Sequence, residues 1–180
     1  MKYTFSFLVI FSFSVASIGQ SYLGSVSKQV NFREGPGTEH KIIKALKQGT
    51  QVFIISSDLE NEFYNIIDIE SNKEGYVHKS YITIEKELPK NSEGIFNPAG
   101  STDTYNAQLE IYNNTSTILT LRLNKEVFTF RPKERTMLSV APGNYDYIAS
   151  APSVMPDYGN ESVNSNSAYT WEFYIVTRYK

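Results

Sequence analysis

The chain has 180 residues, with 17 basic and 19 acidic side chains, two histidines and no cysteine. A near-neutral balance supplies no basic field for gripping a phosphate backbone, so nucleic acid is not an expected partner. Without cysteine there is no thiol nucleophile, disulfide framework, thiolate zinc site or iron–sulfur cluster, and His40 and His78 alone cannot build a three-histidine zinc centre.

The first element in chain order is an address. Met1-Lys2 gives a positive start, Phe5 to Phe13 is a run of Phe, Leu, Val and Ile broken only by Ser, and the small residues Ser14, Ala16, Ser17 and Gly19 follow. This is the layout of a secretory signal peptide. Cleavage is expected after Gly19, with Ala16 as the competing site. A helix from Thr4 to Ile18 would extend about 22 Å, short of the roughly 30 Å hydrocarbon core, so residues 1–19 are expected to be removed rather than to anchor the chain. No cysteine follows the apolar run, so no lipid anchor is expected, and the mature protein should contain no membrane span. The predicted location is outside the cytoplasm, periplasmic or extracellular.

Beyond residue 20 no stretch sustains helical periodicity; the nearest, Glu39 to Gln48, is short and stops at Gly49. Short β-branched and aromatic runs between clusters of Gly, Pro, Asn and Asp predict an all-β protein. Candidate strands in the first half are Asn31-Phe32-Arg33, Gln51 to Ile55, Tyr64 to Ile69, Gly75-Tyr76-Val77 and Tyr81 to Ile84. Glu34-Gly35-Pro36-Gly37 is a loop whose glycines permit positive φ. So many short strands in so few residues predict a small twisted barrel over 22–85. From about Glu85 to Asp103, Pro89, Asn91, Ser92, Gly94, Pro98, Gly100 and Ser101 interrupt any regular pattern, which predicts a linker over 86–103.

In the remaining 104–180, Ala107, Leu109 and Ile111 alternate with Gln108 and Glu110, and Leu119, Leu121 and Leu123 alternate with Thr120 and Arg122. Each strand should therefore have one apolar and one wet face. Asn124-Lys125, Arg131 to Glu134 and Ala141 to Asn144 are turns leading into Glu126–Phe130, Thr136–Val140 and Tyr145–Ser150. Tyr169–Thr177 is a last strand carrying Trp171, Phe173 and Ile175 on one face. Six such strands predict a compact antiparallel β-sandwich. Ala151 to Ser167, rich in Pro, Ser and Asn, is predicted to be a long loop. Asn113-Asn114-Thr115 and Asn160-Glu161-Ser162 match glycosylation acceptors.

The run Val30-Asn31-Phe32-Arg33-Glu34-Gly35-Pro36-Gly37-Thr38 resembles the opening signature of bacterial SH3 domains. Ile42-Ile43, Leu46, Gly49-Thr50 and Val52 resemble the second element of that family. Asn61 to Ile66 resembles its aromatic strand, and Gly75-Tyr76-Val77-His78 with Ser80-Tyr81-Ile82 its closing segment. Phe63 and Tyr76 stand where the family often has Trp. The stretch around Val140-Ala141-Pro142-Gly143-Asn144-Tyr145 is similar to surface β-sandwich modules of the PEGA or carboxypeptidase-regulatory type. The SH3 resemblance implies a shallow groove lined by the loop after Arg33 and by Phe63, Tyr64, Tyr76 and Tyr81. Phe63 and Tyr76 are expected in the core, leaving Tyr64 and Tyr81 as the better ligand candidates, with Arg33 and the surface residue His78 also among the expected ligand-binding residues. Arg33 could hold a carboxylate, or be tied to Glu34 or to a loop carbonyl.

The residues do not favour catalysis. The second half has neither His nor Cys, so Ser-His and Cys-His pairs cannot be built within it. The carboxylate pairs Glu60/Glu62, Glu85/Glu87 and Asp157/Glu161 lie in no recognisable pocket context. The 13 tyrosines offer rigid area with a polar tip, suited to recognition and equally to covering thin cores. The expected protein is therefore an exported, non-catalytic binding protein of the bacterial cell envelope. Its SH3-like domain would contact peptidoglycan peptide or another envelope ligand, with no metal and no cofactor. The alternatives are a structural or assembly protein acting through protein contacts of the sandwich and, third, a carboxylate-only hydrolase. Oligomeric state is left open.

Overall fold

The computed structural model describes residues 19–176, so the expected signal peptide, 1–19, lies outside the described residues except for Gly19. The described residues are all-β, with fifteen strands and one short 3-10 turn among them. In the first half β1 (Tyr22–Val26), β2 (Val30–Arg33), β3 (Ile42–Leu46), β4 (Gln51–Ile54), β5 (Phe63–Asp68), β6 (Lys73–His78) and β7 (Ile82–Glu87) form one antiparallel sheet, ordered β3-β2-β6-β5-β4-β1-β7. The sheet is SH3-like, but its ladder does not close on itself, and β3 and β7 remain edges. Closure is replaced by packing: Val26, Phe32, Leu46, Val52, Ile54, Ile66 and Val77, from six strands, meet in one cluster. Gly75 makes this curl possible. A Cβ there would press on the Arg33 carbonyl oxygen and lie 2.7 Å from the Phe32 ring, so β2 can cross β6 only over a glycine.

The second half has two four-stranded sheets. β11 (Glu126–Phe130), β10 (Leu119–Leu123), β13 (Gly143–Ser150) and β14 (Asp157–Val163) form one; β12 (Arg135–Val140), β9 (Ala107–Asn113), β15 (Ser167–Phe173) and β8 (Asn97–Ser101) form the other. Their apolar faces close on Leu109, Ile111, Leu119, Leu121, Tyr147 and Trp171, as the alternation predicts for β9 and β10. The Asn124-Lys125 hairpin forms as expected, with Asn124 in the left-handed region at φ 53°. The turns at 131–134 and 141–143 instead carry the chain from one sheet to the other. One pairing, β15 with β9, is parallel and departs from the all-antiparallel expectation.

Several local expectations are corrected. Residues 86–103 hold the end of β7 and all of β8; Pro98 and Gly100 are tolerated because β8 is an edge strand, with β15 its one neighbour among the described residues. The expected loop 151–167 contains β14, a polar edge strand paired to β13 along its whole length. The last strand stops at Phe173, leaving Ile175 exposed. Gly35 and Gly37 are not left-handed; Gly35 is needed for space, since a Cβ would lie 2.5 Å from the His40 ring. Asn113 is buried rather than a sugar acceptor. Its amide donates to the carbonyls of Thr117 (2.8 Å), Phe130 (3.1 Å) and Arg131 (3.0 Å), and its oxygen accepts from Thr115.

The two halves share a core. β4 sends Val52 and Ile54 inward to the Phe32 cluster, while Phe53 and Ile55 point the opposite way and meet Ile148 and Tyr158 of the second half, joined by Leu23, Ile67 and Leu88. Burial on both faces explains the unbroken apolar run Val52 to Ile55. Around this cluster Tyr158 donates from its hydroxyl to the Leu88 carbonyl (2.6 Å) and accepts from the Gln20 amide (2.7 Å). Asn72 donates to Thr120 (3.1 Å), the Ser153 amide to the Ile69 carbonyl (2.8 Å), and Arg122 pairs with Glu74. The segment joining the halves is pinned to β14. Its Asn91 amide donates to the Tyr158 carbonyl (2.8 Å), and the Glu161 carboxylate accepts from the amides of Ile95 (2.6 Å) and Phe96 (3.0 Å). Among the described residues no helix is long and apolar enough to cross a membrane.

Candidate functional site

A cleft of about 440 Å³ opens on the first half and is lined by Gln29, Val30, Asn31, Arg33, Thr38, Phe63, His78, Ser80 and Tyr81. Strand alternation builds it. On β2, Phe32 enters the core, so Asn31 and Arg33 face outward. On β5, Ile66 and Tyr64 pack on the core cluster, so Phe63, one residue out of phase with Tyr64, lines the cleft. The 3-10 turn Lys79–Tyr81 after β6 then presents His78, Ser80 and Tyr81 along one wall.

The sequence-derived site residues therefore divide. Arg33, His78 and Tyr81 come together in the cleft, whereas Tyr64 is half-buried against the core and is not part of the lining. Phe63 is buried, as expected, and it also lines the cleft; the period-two pattern running back from Ile66 contains that information, which the aromatic motif taken alone does not. Tyr76 is half-buried and its hydroxyl donates to Glu60 (3.4 Å); desolvation, reinforced by Glu60, pushes its pKa above the usual tyrosine value.

The wall is an aromatic ladder. His78 packs edge-on between Phe63 (centroids 5.2 Å apart) and Tyr81 (6.2 Å), and the Lys28 ammonium sits 4.9 Å above the Tyr81 ring. The His78 Nδ1 accepts from the Ser80 backbone amide (3.3 Å) and lies 2.9 Å from the Ser80 hydroxyl. This bonding places the neutral imidazole's proton on Nε2. It also forms a Ser-His pair, but His78 spends Nδ1 on capping its own turn, and Nε2 makes no hydrogen bond to a third group among the described residues. Arg33, also in the lining, donates from one guanidinium nitrogen to the His40 carbonyl (2.8 Å), the loop-carbonyl tie among the alternatives, and the loop is closed by the Glu34 amide donating to the Lys41 carbonyl (2.9 Å).

Acids near the cleft are neutralised locally. Glu34 pairs with Lys41 (3.2 Å) and Glu62 with Lys79, whose hydrogen bond and charge hold the Glu62 carboxyl below its usual range. Of the other carboxylates weighed for hydrolysis, Asp157 accepts from Tyr147 (3.3 Å) and Asn91 (3.2 Å), while Glu161 caps backbone amides as described. No cluster of three or more His, Asp or Glu suited to a metal occurs among the described residues.

The aromatic wall and the glycine crossing at Gly75 place this cleft on a recognisable framework. Residues 28–83 match the bacterial SH3 domain family. The match spans under a third of the chain, beginning just before β2 and ending within β7, so all nine cleft residues fall inside it. No curated protein and no solved structure matches the chain. The SH3 domain thus includes the whole cleft, while β1 and the shared core with the sandwich lie beside it.

Proposed function

We propose that this is an exported, non-catalytic binding protein of the bacterial envelope, whose SH3 cleft holds peptidoglycan peptide or a closely related envelope ligand. The observation carrying the reading is the cleft itself: an open groove with Phe63, His78 and Tyr81 along one wall and neutral polar groups from Gln29, Asn31, Thr38 and Ser80 around it. Such a surface offers flat apolar area next to hydrogen-bonding groups, which suits short peptides with small side chains. The family match supports a binding role, and the layout of residues 1–19 supports export. Among the described residues the Ser80–His78 pair has no orienting third group, which favours recognition over turnover. A single shallow site binds weakly, but a polymeric wall multiplies effective concentration.

Co-sedimentation of the mature chain with purified cell-wall sacculi tests this. Saturable pelleting, released by Tyr81→Ala and by His78→Ala but retained by Tyr64→Phe, is the expected result. Pelleting by none of these proteins at low salt overturns wall binding. Hydrolysis of wall material by pure protein that is abolished by Ser80→Ala would overturn the non-catalytic reading.

A further inference from the structure

We infer that the SH3 cleft selects ligands bearing a free carboxylate, and specifically takes the carboxyl end of a short peptide against Arg33. This deepens the binding role proposed above and rests on it. The cleft carries a local charge opposite to that of the chain. The whole protein has a formal net charge of −2, yet the lining contains Arg33 and no acid. Among the described residues Arg33 forms no ion pair; its one bond goes to a neutral carbonyl, which leaves further guanidinium N–H donors of its planar fork. Lys28 at the Tyr81 rim likewise contacts a ring and no carboxylate among the described residues. The acids that could have quenched these cations are engaged elsewhere, Glu34 by Lys41 and Glu62 by Lys79, and Glu39 lies 3.3 Å from His40.

Among the described residues neither Arg33 in the lining nor Lys28 over the Tyr81 ring has a counter-ion, which leaves an electrostatic demand that an anionic ligand satisfies. A carboxylate fits the forked donor geometry of Arg33, and the residue preceding it would lie on His78 and Tyr81. A peptide with an amidated end would offer no negative charge. The guanidinium is partly exposed, so the attraction should weaken as salt rises.

The test uses the mature chain with N-acetyl-Ala-Ala as free acid and as carboxamide, in L and D forms, followed by amide chemical shifts at low salt. The free acid is expected to bind about tenfold or more tightly than the amide, since a charge-assisted bond replaces a neutral one. Arg33→Gln should bring that ratio towards one, and Arg33→Lys should restore part of it. Because Arg33 also ties its loop, a second arm leaves the protein untouched: sacculi whose carboxyl groups have been converted to amides should no longer pellet it. Equal binding of acid and amide, with amidated sacculi still bound, overturns carboxylate selection while leaving the wall-binding role intact. Binding of the acid peptide with no affinity for sacculi supports carboxylate selection but moves its source from the wall to a free peptide or a protein C-terminus. No binding of any of these probes overturns both.

Discussion

Tyr158→Ala should destabilise the SH3 half as much as the sandwich that contains it. The Tyr158 ring is buried and meets Phe53 edge-on at 5.6 Å, and its hydroxyl joins Leu88, Gln20 and Ser21, so one side chain ties three segments together. Truncating a buried aromatic costs about 3–5 kcal/mol. Tyr158→Phe, which keeps the ring but leaves the buried Ser21 amide without its partner, should cost about 2–3 kcal/mol. The shared cluster is large on the scale of the fold. Burying Leu23, Phe53, Ile55 and Ile67 contributes up to roughly 6–12 kcal/mol, comparable to the whole stability of roughly 5–15 kcal/mol of an ordinary domain. The two halves should therefore unfold in one transition. Urea unfolding can be followed by the fluorescence of Trp171, the sole tryptophan and part of the sandwich core, and in parallel by amide signals of Phe32 and Val77 in the SH3 cluster. Both probes should give one midpoint in the native chain and one lowered midpoint in Tyr158→Ala. A variant in which the Trp171 midpoint falls while Phe32 and Val77 keep theirs would refute the shared-core argument.

Three further outcomes follow from particular contacts. Gly75→Ala, forced against the Arg33 carbonyl and the Phe32 ring, should lower stability by about 2–3 kcal/mol, read as a shifted urea midpoint with unchanged slope. Asn113→Ala removes a buried amide shared by three carbonyls, of which that of Thr117 keeps the Thr115 hydroxyl and that of Arg131 the Glu134 amide, and should cost about 1–3 kcal/mol in thermal unfolding, whereas Asn114→Ala should have much less effect. Burial, with Asp157 beside it, pushes the Tyr147 hydroxyl well above the ordinary tyrosine value near 10. The folded state thus favours the neutral phenol, and the stability from that preference is complete below pH 10 and lost as pH rises beyond it. Urea midpoints between pH 8 and 11 should fall at the alkaline end and flatten in Tyr147→Phe, with a residual slope from Tyr76 and Tyr145, which shift the same way.

The residue pattern alone determines the β class, because period-two alternation at Leu109, Ile111, Leu119 and Leu121 depends only on which side of a pleated strand each side chain takes. The ordered motifs from Val30 to Ile82 also suffice to mark the SH3 framework, and with it Arg33, His78 and Tyr81 of the cleft. Other features depended on contacts remote in sequence. Edge strands β8 and β14 are written in polar, Pro- and Gly-bearing residues, since an edge needs only one neighbour and half a buried face; composition therefore resembles a loop there. Phe63 is buried as its motif implies, but that its ring also lines the cleft while Tyr64 lies half-buried against the core is legible only once the neighbouring Ile66 is known to face inward. The joining of the two halves was the least visible feature. The run Val52 to Ile55 announces burial on both faces, but nothing along the chain says that the second face belongs to Ile148 and Tyr158, some hundred residues away. A strand's own residues fix which way its side chains point; what those side chains meet is decided only when the sheets pack.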